Sequence, residues 1–183
     1  MPITEHTYRD IVRGYKGKNL IASLPDLLVP LWTDDYLQTH RKAEMTLVDL
    51  TGGASSFTYI FDITRERNIV AFGIPMYLKH KRDASRMAGH PLSDGADYHR
   101  GHLMAHSLGG GTDINLVPQL GKLNIGAFRE LEREVKKLSL EGVQCFYFVR
   151  TTYPVGNSQL PAFIEQCIIQ PSGVIDYRKF RNT

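Results

Sequence analysis

The spacing of hydrophobic positions changes several times along this chain, and each change marks an element. Between Met45 and Phe72 three short runs, Met45 to Leu50, Ser56 to Ile63 and Asn68 to Phe72, are parted by Gly52-Gly53 and by the charged turn Thr64-Arg65-Glu66-Arg67. Runs of β-branched and aromatic residues between turn formers predict strands, here an antiparallel meander. From Asn124 to Leu138 the period lengthens. Phe128, Leu131, Val135 and Leu138 stand at i, i+3, i+7 and i+10 on one stripe of a helix, with Arg129, Arg133, Lys136 and Lys137 facing away from it. Val143 to Val149 then reads as a buried strand ending at Tyr153-Pro154, with Ala162 to Ile169 as its partner before the turn Pro171-Ser172-Gly173. Near the start, Tyr8 to Tyr15 predicts a short helix stopped by Gly14 and Gly17, while the stretch opening at Leu24-Pro25-Asp26 has no clear assignment. The polar segment Lys79 to Asp97 predicts a long loop feeding Tyr98 to His106. Together these elements predict an α+β fold with an antiparallel sheet.

Composition narrows the class. No repeat, heptad run or long linker divides the 183 residues, so a single domain over 1–183 is expected, with 1–40 as an accessory N-terminal segment. Such a chain buries about 70% of its unfolded surface, enough for a core without metal or disulfide staples. The longest apolar-looking stretch, Ile21 to Trp32, is interrupted by Pro25, Asp26 and Pro30, which excludes a transmembrane helix. The first residues lack the charged, apolar, small-residue order of a secretory leader, so Sec export is not expected. Cys145 and Cys167 sit in apolar runs, where a buried free thiol is the commoner state. The net charge of +3 leans toward an anionic partner. Between Met76 and His102, Lys79, Lys81, Arg82, Arg86 and Arg100 outnumber Asp83, Asp94 and Asp97, the pattern of a solvated basic loop.

Taken singly, the polar residues that follow have ordinary explanations: His102 as a structural histidine, Asn124 as a helix cap. Projected at 100° per residue, however, Asn124 falls on the apolar stripe, with Glu132 at its border. An amide oxygen and a carboxylate along one side of a helix suit a hydrated hard cation. His99, His102 and His106 raise a second possibility, a zinc site, which needs a helix that Gly101 and Gly109-Gly110-Gly111 oppose.

The order of these residues carries more than any one of them. His99-Arg100-Gly101-His102, then Asn115-Leu116-Val117-Pro118-Gln119, then Leu123-Asn124-Ile125-Gly126-Ala127-Phe128 and Leu131-Glu132 resemble the non-specific DNA/RNA endonucleases of the ββα-metal, or His-Me finger, group. The resemblance is dense from Arg100 to Glu132 and extends more thinly through Thr151-Thr152-Tyr153-Pro154 and Gly156-Asn157-Ser158. It implies a ββα-metal core over 98–138, a β-hairpin followed by a metal-binding helix. It also implies a Mg²⁺- or Mn²⁺-dependent nuclease acting on both DNA and RNA. His102 would be the general base, Asn124 the direct metal ligand, Glu132 a group orienting metal-bound water, Arg100 a phosphate or loop contact, and Asn115 a residue fixing the geometry by hydrogen bonds, with Gln119 a weaker candidate of that kind. Relatives with this motif flavour occur as bacterial toxin domains, which implies a cytoplasmic chain or one delivered to a target cell, and an immunity protein as partner. Two positions depart from the pattern. His99 stands where the family has Asp, with Asp97 nearby, and Phe128 where it often has Trp. The family's upstream phosphate-binding arginine has only Arg65, Arg67, Lys79 and Arg82 as candidates. The substitution at His99 keeps open an alternative, a nucleic-acid-binding module of the same fold with weakened catalysis.

Overall fold

The structure, a computed structural model, describes residues 2–52, 55–77, 97–111 and 113–183. The expected loop over Lys79 to Asp97 and the Gly52-Gly53 turn fall largely outside them. A six-stranded, wholly antiparallel sheet has the order β1 (Met45–Gly52), β2 (Ser55–Asp62), β3 (Arg67–Ile74), β6 (Phe146–Thr152), β7 (Phe163–Ile169) and β8 (Ile175–Arg181). β4 (Tyr98–His102) and β5 (Leu116–Leu120) form a separate antiparallel pair, followed by α3 (Gly121–Ile125) and α4 (Phe128–Leu140). The mixed α+β class, the antiparallel sheet and the β1-β2-β3 meander agree with the sequence pattern.

Strand alternation divides the core into two layers, because successive side chains leave a sheet on opposite faces. Phe57, Tyr59, Ala71, Tyr147, Val149, Ile164 and Ile168 point to the face that carries the β4-β5 pair and α4, where Leu103, Val117, Leu131 and Val135 meet them. Ile60, Val70, Phe72, Phe146, Phe148, Cys167 and Ile169 point to the other, under α1 (Glu5–Gly14) and α2 (Leu20–Thr39). Trp32 lies in this second layer, its Nε1 donating to Tyr8 Oη at 3.1 Å. The cysteines belong to opposite layers and are both free thiols. Burial pushes the Cys145 thiol up to about 11.

Three sequence expectations change. The unassigned stretch at Leu24 is the interior of α2, which runs through Pro25 and Pro30. Each proline removes one i→i−4 donor, but Ile21, Leu24, Leu28, Trp32 and Tyr36 still bury one continuous face. Among the described residues no helix is long and apolar enough to cross a membrane. The helix expected in one piece from Asn124 is two, α3 and α4, broken at Gly126-Ala127. At Gly126 a Cβ would stand 2.8 Å from the Lys122 carbonyl oxygen, so this close reversal needs glycine. Arg67, assigned to a charged turn, instead begins β3 with 2% exposure.

Candidate active site

β4 runs outward to His102, and β5 returns with Leu116 opposite His102 and Gln119 opposite His99. Gly101 lets the two strands close. A Cβ there would collide with the Gln119 side chain, coming within 2.6 Å of its own Cβ. Gln119 is 1% exposed beneath this point, and neither its Nε2 nor its Oε1 finds a hydrogen-bond partner among the described residues.

Immediately after His102 the chain is gripped by Asn115, itself fully buried. Its Oδ1 accepts from Met104 N at 2.8 Å, and its Nδ2 donates to Met104 O at 2.8 Å and Gly111 O at 2.7 Å. Leu103 N donates to the Asn115 carbonyl at 2.9 Å. The connection is tied to the large sheet by Asn68, whose Nδ2 donates to Ile114 O at 2.9 Å. On the other side, Asn182 accepts from Leu120 N at 2.9 Å and donates to Pro118 O at 3.0 Å and Pro161 O at 2.9 Å. Tyr98 Oη donates to the Asn182 carbonyl. His102 thus stands at a strand end whose position is over-determined by buried hydrogen bonds.

Between this hairpin and α4 opens a cleft of about 810 Å³. Arg100 and His102 from β4, Asn124 from α3 and Glu132 from α4 all line it, although they come from three elements. Asn124 is a residue within α3 rather than the cap of a longer helix, and it remains half-buried at the cleft wall. Glu132 lies at the border between cleft and core. Burial pushes the Tyr147 phenol behind it well above its ordinary range, and the Glu132 carboxylate acts in the same direction. Asn115 and Gln119 lie outside the cleft wall, within the structure that supports it.

His99 also lines the cleft, its ring lying over Gly121, where a Cβ would be 2.8 Å from Nε2. Asp97 is exposed and is not part of the wall. Among the described residues no three His, Cys, Asp or Glu side chains gather as a metal site, so the set His99, His102 and His106 does not converge on zinc.

Of the candidate upstream arginines, Lys79 and Arg82 lie outside the described residues, while Arg65 and Arg67 are committed elsewhere. Arg65 pairs with Asp62 at 3.1 Å. Arg67 donates to Tyr36 Oη at 2.8 Å and Ser158 O at 2.6 Å and lies 4.2 Å over the Tyr153 ring. What the sequence reading missed in the cleft is Arg129, Arg133 and Lys136. They do face away from the apolar stripe, but toward this wall, and their i, i+4, i+7 spacing beside Glu132 was the available signal.

Comparison with known proteins places these observations. The family model described as DNA/RNA non-specific endonuclease matches residues 74–168, just over half of the chain. The crystal structure of NucA from Streptococcus agalactiae with magnesium ion bound superposes with a TM-score of 0.58 at 12% identity, covering 82% of this chain and 89% of that one. The structure of the same nuclease with no metal bound gives 0.59 at 12% identity, over 83% and 88%. At that identity the likeness is one of fold. No curated protein sequence matches the chain.

Proposed function

The chain belongs to the DNA/RNA non-specific endonuclease family, and from that premise we propose that its cleft hydrolyses DNA and RNA with a divalent cation, His102 acting as general base. The observation that carries this reading is the convergence of Arg100, His102, Asn124 and Glu132 on one wall-to-wall cleft.

The donor set fits a hard, hydrated ion such as Mg²⁺ or Mn²⁺. Asn124 offers a neutral amide oxygen and Glu132 a carboxylate, and no nitrogen- or sulfur-rich cage competes among the described residues. Asn124 would hold the ion directly, and Glu132 would orient its water. Bound there, a divalent cation supplies positive charge to the phosphoryl oxygen and to the departing 3′-oxygen.

The side chains supply the rest. An imidazole nitrogen of His102 takes the proton as a water oxygen bonds to phosphorus and the P–O3′ bond breaks, leaving a 5′-phosphate and a 3′-hydroxyl. Arg100 holds a non-bridging phosphate oxygen by charge-assisted hydrogen bonds. Asn115 is the positioning residue. By clamping Met104 and Gly111 it fixes the strand end from which His102 reaches the substrate. No step uses a 2′-hydroxyl, so both sugars are substrates.

Plasmid DNA and single-stranded RNA incubated with the purified chain test this directly. Degradation of both in Mg²⁺, abolished by chelator and restored by Mg²⁺ or Mn²⁺, is the expected result. Cleavage that survives chelation, or intact nucleic acid that is only retarded on a gel, would contradict the reading. The second outcome would favour the binding-module alternative, with His99→Asp as the reverting substitution to try.

A further inference from the structure

Four of the chain's 22 basic residues and one of its 19 acidic residues line the cleft, leaving 18 of each elsewhere. The net +3 of the whole protein is therefore the charge of this one surface. Three of the four cations, Arg129, Arg133 and Lys136, stand on successive turns of α4. Lys136 is placed by an aromatic neighbour, its Nζ 4.1 Å from the centre of the Tyr77 ring. Arg129 and Arg133 are exposed. Glu130, a nearby acidic residue on the same helix, is engaged by Arg178 of β8 at 2.9 Å.

Resting on the active-site reading above, we infer that Arg129 and Arg133 bind the phosphates next to the scissile one, so that the substrate is a polynucleotide strand laid along α4. Four residues of helix rise about 6 Å, close to two base steps of about 3.4 Å along a stacked strand. Guanidinium groups at that spacing meet neighbouring phosphates without reading bases, consistent with a nuclease indifferent to sequence. The upstream arginines Arg65 and Arg67 are held in buried contacts around Asp62, Tyr36 and Ser158. Among the described residues, then, α4 provides every guanidinium in the cleft other than Arg100. A dinucleotide has only the scissile phosphate and forgoes these contacts.

The test uses the full chain in Mg²⁺, as wild type, as Arg129→Ala/Arg133→Ala and as Arg129→Lys/Arg133→Lys. Each cleaves a single strand of about 20 nucleotides and a dinucleotide across a salt series. The wild type is expected to prefer the long strand. The alanine pair should lose about tenfold or more of that preference through KM, with the slope of log kcat/KM against log salt shallower by about 2. The lysine pair should recover most of both. An unchanged preference in the alanine pair, or equal losses on both substrates, overturns the inference. A wild type that cleaves neither substrate overturns the active-site reading itself, which separates the two failures.

Discussion

His40 shows how a single side chain links this fold to pH. It is 3% exposed, stacked on Tyr36 with ring centroids 4.5 Å apart. Burial lowers its pKa, and the nearby charges of Arg67 and Arg65 lower it further, against a raising backbone hydrogen bond at Tyr153 and the charge of Asp62. Since the unfolded imidazole titrates near ~6.5, the unfolded chain binds this proton more readily than the folded one. The stability His40 contributes is thus present above that value and lost as pH falls through the lower folded value. Urea midpoints measured from pH 7.5 to pH 5.5 should fall for the wild type and fall less for His40→Gln; parallel curves would count against it. At this scale the sequence was legible where chemistry follows order. Arg100, His102, Asn124 and Glu132 were named from motif spacing, and the structure gathers them in one cleft. Arg67 was not legible, because its burial depends on Tyr36, Tyr153 and Ser158, which lie far from it in sequence.

Among the elements, the β4-β5 pair matters most, since it carries Arg100 and His102 while standing apart from the large sheet. Asn182, fully buried, fastens it by three side-chain hydrogen bonds to Leu120, Pro118 and Pro161. Replacing Asn182 with Ala leaves a buried backbone N–H at Leu120 without its acceptor, which costs about 1–3 kcal/mol. Asn182→Ala should therefore lower the unfolding midpoint and reduce nuclease kcat together; wild-type values for both would show that the pair is held elsewhere. Strands β1, β2, β3, β6 and β7 were readable because their apolar runs face packed layers. β8 was not, since IDYRKFR is mostly polar or charged at a sheet edge and carries no apolar run. Helix α2 was obscured by its two prolines, and the break before α4 by an apolar stripe that continues in sequence across Gly126.

In the whole molecule, the central sheet divides two tasks. One face is sealed by α1 and α2, and the other presents the hairpin, α3 and α4, with the cleft and its positive charge between them. The architecture is shared with the streptococcal nuclease at 12% identity, so it is maintained by layer packing rather than by particular surface residues. Catalysis in this account depends on one imidazole held at a strand end, and the rate of plasmid cleavage in Mg²⁺ by His102→Ala, compared with wild type at matched unfolding temperature, measures that dependence directly. Loss of a general base predicts a fall of about 10²- to 10⁴-fold with DNA binding retained. A folded His102→Ala protein that cleaves within about threefold of wild type, far short of a general base's contribution, would contradict the account.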